Sequence, residues 1–359
     1  MTRWTPEHIW IERGAEASAL AQRVRRRLPA TPTVITDDVR TADVDRFGDG
    51  KRRLVLQPHR GGFLRHCPAG TAGLVCCNYM VVDFASNCPF DCSYCFLQEY
   101  LANNSAVKAF TNVDDGLAEI VTVLRAHPQR QFRIGTGELA DSLALDDVTG
   151  LTSDLVPFFA EQRNATLELK TKSDCIDNLL ALDPKDRVVV SWSMNAPAIV
   201  ASDEAGTASL AERVAAARRV QSAGYRVGFH FDPLIEHRDW VEGYRETVAM
   251  LAAAIDPERV AWISLGSLRL TPALRTAMRA RAARTQVLSS ELVPNADGKL
   301  RVWRGLRMEI YRTVQSYLRE AFPSVPTYLC METPSMWQQV RGEAPSDREV
   351  AQRLVGAAP

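Results

Sequence analysis

The chain has 359 residues, 46% of them hydrophobic and 24% charged, proportions that suit a globular protein with one large core and smaller appended units. Lys plus Arg equals Asp plus Glu at 43 each, so the net charge is zero. That excludes a protein that coats nucleic acid by bulk charge; any such contact needs a local patch.

The opening "MTRWTPEHIWIERGAE" has no apolar core of signal-peptide length, and no run is long enough to span a membrane. A reducing cytoplasm and no membrane partner are therefore expected. In that compartment the eight cysteines read as metal or cluster ligands and buried thiols, not as a disulfide framework. Residues 1–75 read as an irregular segment rich in Pro, Gly and Arg ("RVRRRLPATP", "LQPHRGGFLRHCPAG"). Residues 76–270 alternate short apolar runs with amphipathic stretches. "YMVVDFA", "QFRIGT", "ATLELKT", "RVVVSWS", "YRVGFHF" and "ERVAWISLGSL" predict strands. "DDGLAEIVTVLRAH", "TSDLVPFFAEQRN", "ASLAERVAAARRVQSAG" and "DWVEGYRETVAMLAAAI" predict helices, the third closed by Gly224. Strands separated by helices pair in parallel through right-handed crossovers. About six such units give an α/β fold, either an open barrel or a doubly wound sheet, with chemistry at the C-terminal strand ends. Residues 271–342 form an extension: Asp297-Gly298 marks a hairpin turn and "RMEIYRTVQSYLREAF" a helix, and residues 343–359 read as a weakly ordered tail.

Three cysteines, Cys88, Cys92 and Cys95, fall within eight residues just after the first strand. Three thiolates hold three irons of a four-iron, four-sulfur (4Fe-4S) cluster and leave the fourth iron open to a substrate. A ferredoxin would show a fourth cysteine nearby. A zinc ion completed by a distant Cys or His, or unligated thiols, are the other readings. The spacing resembles the radical SAM signature C-x3-C-x-aromatic-C, with Tyr94 as the aromatic that lies against the adenine of S-adenosylmethionine (SAM). "GTGEL", carrying Gly137 and Glu138 at the end of the second strand, resembles the motif that receives the SAM amino group.

From roughly residue 65 to 325 the chain is similar to the spore photoproduct lyase family, through "CSYCFLQ", "LKTKSDCID", "VVVSWSMN", "AARRVQSAGYRVGFHFDPLIEHRDWVEGY" and "LREAFP". The resemblance implies a partial (β/α)6 radical SAM barrel, a 4Fe-4S cluster and SAM as cofactors, and SAM contacts at Lys172, Ser191 and Ser193. It further implies an electron donor of the flavodoxin, ferredoxin or reductase kind, and a pyrimidine lesion in DNA as substrate.

The sequence departs from that family twice. Glu138 stands where the lyase has its hydrogen-donor cysteine, and Phe96 stands where a relay tyrosine follows the last cluster cysteine. A carboxylate is a poor hydrogen-atom donor, so the chain reads as a relative of the lyase and not its equivalent. Cys330 in "TYLCMET" is the substitute donor to weigh, against an inert strand thiol. Cys67, Cys76 and Cys77 are candidates for a second metal or cluster with Cys330 or Cys175, against buried structural thiols; Cys175 reads as a structural residue at a helix start. If "GKLRVWR" is extended, Lys299, Arg301 and Trp303 share one face. With Arg304 and Arg307 they form a patch suited to a phosphate backbone and an unstacked base, against a hairpin that merely packs on the barrel. His230 and Asp232 are expected near the mouth, against a satisfied core histidine. A small metabolite or peptide substrate, and a non-catalytic cluster- or zinc-binding protein, are the alternative functions.

Overall fold

Every residue of Val188–Ser193 and Val260–Ser267 is buried, as happens when parallel strands carry helices on one face and fill a barrel on the other. The computed structural model describes residues 3–42, 47–68, 70, 72–282, 285–295 and 297–355. Its main sheet holds seven strands, β1 (Met80–Val82), β2 (Phe132–Gly135), β3 (Ala165–Thr171), β4 (Val188–Ser193), β5 (Arg226–Leu234), β6 (Val260–Ser267) and β7 (Thr327–Leu329). All pair in parallel and lie side by side in chain order, with Leu64–His66 added antiparallel to β1. A doubly wound sheet needs a reversal of strand order; none occurs here, so the sheet is a partial barrel. It has one strand more than the six expected, because Thr327–Leu329 pairs with Ile263–Leu265 at the open edge. An isolated bridge from Val75 to Glu332 reaches across the remaining gap.

The crossover helices Val113–Ala126, Thr152–Ala160, Leu210–Ser222 and Trp240–Ala254 fall where the periodicity puts them. Gly224 follows the third at φ +94°, a left-handed stop that a side chain would resist. Between β3 and β4 there is only the short turn Leu179–Ala181. Cys175 therefore lies in a loop, not at a helix start; it is buried and its backbone N–H donates to Ser173 Oγ at 3.0 Å.

Two stretches are more ordered than the sequence suggests. Residues 1–75 are not irregular: Thr33–Thr36, His8–Glu12 and Arg53–Gln57 form a parallel sheet continued by Val107–Phe110 from the barrel segment. These strands have four or five residues each and pair across long connections, so their alternation is too brief to stand out from the flanking Arg and Pro. The expected tail contains the helix Asp347–Val355, opened by a capping box in which Ser346 and Glu349 exchange hydrogen bonds. Val350 and Leu354 on that helix join the main core. Residues 356–359 lie outside the described residues.

The barrel interior is polar at its centre. Glu168 on β3, 1% exposed, accepts from Arg133 Nε at 2.9 Å, Ser191 Oγ at 2.8 Å and Trp262 Nε1 at 3.1 Å, and pairs with His230 Nε2 at 2.7 Å. Arg133 also donates to Tyr328 Oη at 3.1 Å and lies 4.1 Å from the Trp262 ring centre. Burial pushes the Glu168 carboxyl up, but Arg133 and His230 outweigh it and hold the pKa well below the ordinary value. Burial lowers His230 to about 4, with Lys170 adding to the effect and Glu168 opposing it. Neutral His230 thus donates its Nε2 proton to Glu168. Room for this centre comes from Gly135: a Cβ there would lie 1.7 Å from Tyr79 Oη.

Removing one member of a buried ion pair strands the other's charge, at a cost of about 3–5 kcal/mol. Glu168→Leu should therefore lower the urea midpoint by that equivalent; a loss below about 1 kcal/mol would show that Arg133 is compensated elsewhere. Unfolded histidine takes up its proton near 6.5 and folded His230 only near 4. Its contribution is therefore complete above pH 6.5 and is lost as pH falls toward 4, by an amount on the order of 3 kcal/mol. His230→Gln should flatten the stability–pH profile in that window.

Candidate active site

The cysteine loop leaves the barrel just beyond β1. Asn87, fully buried at φ +63°, turns the chain: its Nδ2 donates to Ser105 O at 2.7 Å and its Oδ1 accepts from Cys88 N–H at 2.9 Å. Further on, Asp91–Cys92 pairs antiparallel with Glu204–Ala205. Buried Lys51 from the N-terminal unit donates to Phe90 O, and Arg281 binds Asp91 at 2.7 Å. Gln98 Nε2 donates to Ser93 O and Cys95 O at 2.8 and 2.9 Å. The loop is thus held from three directions before any metal arrives.

Cys88 and Cys92 are buried, Cys95 is half-buried, and all three thiols are free. They line one cavity of about 270 Å³ at the C-terminal mouth of the barrel, together with Tyr94, Gly137, Glu138, Lys172 and Ser193. The structure therefore brings together the three cysteines and most of the expected SAM-side residues. Tyr94 Oη donates to Glu204, which also binds buried Arg213 at 2.5 Å, and Lys172 Nζ sits 5.6 Å from the Tyr94 ring centre. Burial lowers the Lys172 pKa, but Glu204 together with smaller contributions from other acidic neighbours raises it overall, so the ammonium is kept charged. Gly137 is required by close approach, since a Cβ there would lie 2.8 Å from Lys170 Cβ. Glu138 Oε2 lies 2.6 Å from Arg65 Nη2, whose Nε bonds Asp83 at 2.8 Å. Burial raises the Glu138 pKa against the pull of Arg65.

Several expectations are corrected. Ser191 is not in the cavity; it is fully buried and donates to Glu168 in the barrel interior, because two residues separate it from the strand end. His230 is likewise a satisfied core histidine. Asp232 does reach the mouth, 3.7 Å from Arg269. On the hairpin, Leu300–Val302 pairs with both Leu292–Pro294 and Arg269–Leu270, which makes it a central strand. Arg301 is consequently 1% exposed; it binds Asp297 at 2.6 Å and Met331 O at 3.1 Å. Arg307 is also buried, bound to Glu332 at 3.0 Å. Neither belongs to an open basic patch. Lys299 is half-buried, Trp303 is 52% exposed, and exposed Arg304 donates to Ser335 and Gln339 at 2.7 and 3.0 Å. Among the described residues no three His, Cys, Asp or Glu side chains are gathered closely enough to clasp a single ion. Cys67, Cys76 and Cys77 are half-buried.

Sequence reasoning missed Glu168, Glu204, Arg213, Lys170 and Arg269. Glu168 and Lys170 carry a signal in hindsight: both interrupt the apolar run "ATLELKT" at barrel-facing positions. Three thiols in one cavity, Lys172 beside Tyr94, and Gly137 and Glu138 at the strand end fit the cluster and SAM. Cys88, Cys92 and Cys95 would hold the metal.

The model of the family described as "Spore photoproduct lyase" matches residues 73–291. This chain belongs to the spore photoproduct lyase family. Family members are radical SAM enzymes, and the cavity's thiols are the feature that such chemistry requires. The chain is 28% identical to the spore photoproduct lyase of Bacillus subtilis (strain 168) over 174 residues, covering 48% of this chain and 51% of that one. It is 25% identical to that of Geobacillus sp. (strain Y412MC61) over 255 residues, covering 68% and 74%. The match thus spans about half the length of the first relative. Among solved structures, a spore photoproduct lyase complexed with dinucleoside spore photoproduct superposes at TM-score 0.81 with 21% identity, covering 91% of this chain and 99% of that one. A mutant lyase with bound AdoMet and the same dinucleoside gives 0.80 over 92% and 99%. At that identity the likeness is one of fold, the partial barrel described above.

Anaerobic reconstitution with iron and sulfide should load the wild-type chain. Cys88→Ala, Cys92→Ala and Cys95→Ala should each abolish cluster absorbance while leaving the far-ultraviolet circular dichroism intact. Stoichiometric zinc in place of iron would contradict the assignment.

Proposed function

We propose that this chain is a radical SAM enzyme acting on a pyrimidine photoproduct in DNA. The observation that carries the reading is the single cavity shared by three free thiols, Tyr94, Lys172, Ser193 and Glu138. When bound, a 4Fe-4S cluster supplies one electron to the sulfonium of SAM, releasing a 5′-deoxyadenosyl radical that removes hydrogen from carbon. The chain's own residues bind and orient. Tyr94, fixed through Glu204 and Arg213, offers a flat wall for adenine. The ammonium of Lys172 suits the SAM carboxylate, and Glu138 at the glycine turn suits its amino group. Lys170, Asp232 and Arg269 line the far side of the cavity, where substrate would enter.

Two exposed aromatic side chains stand at that mouth. Phe96 lines the cavity at 43% exposure, and Tyr100 at 68% lies 6.4 Å from it, centre to centre. Exposed rings beside a reaction site suit stacking on an unpaired base, worth about 1–3 kcal/mol per base. Trp303, Lys299 and Arg304 are the hairpin residues left to contact the strand.

Glu138, bound to Arg65, cannot return a hydrogen atom to a product radical. Cys330 is the thiol best placed to do so. It follows β7, where its backbone N–H donates to Leu265 O at 2.7 Å, and it neighbours Asp232, which lines the cavity. Burial, then Asp232, pushes its pKa well above the ordinary thiol range, so the S–H hydrogen is kept. Transfer of that hydrogen quenches the substrate radical and leaves a thiyl. One electron from the flavodoxin, ferredoxin or reductase donor and a solvent proton then restore the thiol. The burial of Arg301 favours a second reading, in which the same chemistry serves a small metabolite or peptide.

With reductant and SAM, the wild-type chain should release 5′-deoxyadenosine and Cys92→Ala should not. Ultraviolet-irradiated oligonucleotide carrying the spore photoproduct should be restored to thymines, followed by mass spectrometry. Release of 5′-deoxyadenosine with the lesion untouched would select the second reading. Phe96→Ala together with Tyr100→Ala should weaken lesion binding at least tenfold. Cys330→Ala should divert turnover to by-products; unchanged products would remove the donor role.

A further inference from the structure

A second cavity, of about 400 Å³, lies at the opposite end of the barrel, beside Thr327 where β7 begins. Its walls come from the end of the helix Arg304–Ala321, the loop 322–326, the helix Pro334–Arg341 and the C-terminal helix Asp347–Val355. Arg319, Arg341 and Arg353 line it, and no Asp or Glu does. One carboxylate outside the wall serves two of them: Glu343 Oε1 lies 2.7 Å from Arg353 Nη1 and 3.3 Å from Arg341 Nε. Arg319 has no acidic partner among the described residues. Three guanidinium groups thus share one ion-paired carboxylate, with Glu349 acting on Arg353 from farther off.

An independent feature points the same way. Trp337 lines the cavity at 1% exposure, and its indole N–H has no acceptor among the described residues. Buried donors are nearly always satisfied, and an unsatisfied one is costly. A donor without a partner in a cavity that Arg319 also lines calls for an anionic oxygen. Phe322, Val325, Val350 and Leu354 give the rest of the wall an apolar part, beside Ser324, Thr327 and Tyr328.

We propose that this cavity binds a small phosphate ester. A phosphate monoester carries close to two negative charges at neutral pH, enough to engage more than one guanidinium group, whereas a monocarboxylate carries one. Its oxygens accept from several guanidinium forks at once, and its organic part rests on the apolar wall. The volume lies within the range of small-molecule sites, about 300–1,000 Å³. The site is remote from the cluster cavity, so it stands or falls independently of the reaction proposed there.

The test is calorimetric titration of the reconstituted, SAM-bound full chain with phenyl phosphate, inorganic phosphate and benzoate. Phenyl phosphate should bind saturably, about tenfold tighter than inorganic phosphate, with benzoate weakest. Arg319→Ala should lower phenyl phosphate affinity about tenfold, with Arg319→Lys intermediate. Because Arg319 has no acidic partner in the free protein, Arg319→Ala should leave the unliganded melting temperature and 5′-deoxyadenosine release unchanged. Absence of saturable binding would overturn the proposal, and so would binding indifferent to Arg319→Ala.

Discussion

The pairing of Glu168 with Arg133 at the centre of the barrel is the constraint on which the remaining architecture rests. Four strands contribute to it directly: β2 through Arg133, β3 through Glu168, β4 through Ser191 and β5 through His230. Trp262 on β6 and Tyr328 on β7 complete the ring of partners. A charge pair in an apolar interior survives only when its lone pairs and protons are all answered. Each strand must therefore hold its register within a fraction of a residue, and that register fixes which side chains emerge at the mouth. Ser193, two residues beyond Ser191, reaches the cavity for this reason.

Above this floor, the cysteine loop depends on contacts from outside the barrel. Lys51 reaches in from the N-terminal sheet, Glu204–Ala205 pairs with the loop, and Arg281 holds Asp91. The N-terminal sheet, joined to the barrel segment through Val107–Phe110, is thus part of the active-site scaffold. The same logic explains how buried Glu204 and Arg213 meet half-buried Tyr94 and Lys172. One carboxylate holds the Tyr94 hydroxyl and favours the charge on Lys172 at the cavity's edge.

That the cysteine triplet, Tyr94, Gly137, Glu138 and Lys172 meet in one cavity was legible because they fall within a few residues of chain, at the ends of strongly periodic strands. The strands and helices from β1 to β6 were legible for the same reason. Ser191 and His230 were misplaced because a strand's length does not say how deep each residue sits. The hairpin was misjudged differently: alternation put Arg301 on an outer face, but a third strand, Arg269–Leu270, covers that side and Asp297 neutralises it. The N-terminal strands and the Asp347–Val355 helix were read as irregular because their patterns are short and their partners distant.

By itself the sequence determined the α/β alternation and the close spacing of Cys88, Cys92 and Cys95, since both follow from local pattern; the family resemblance marked Glu138 as standing where a thiol was expected. Only the tertiary structure decided that the sheet curls in chain order, that Glu168 and Glu204 organise floor and mouth, and that Arg301 is spent on Asp297. It alone placed Cys330 against Asp232 and gathered three arginines around a cavity at the far end. Those outcomes depend on burial and on charge partners tens or hundreds of residues away, which local pattern does not carry.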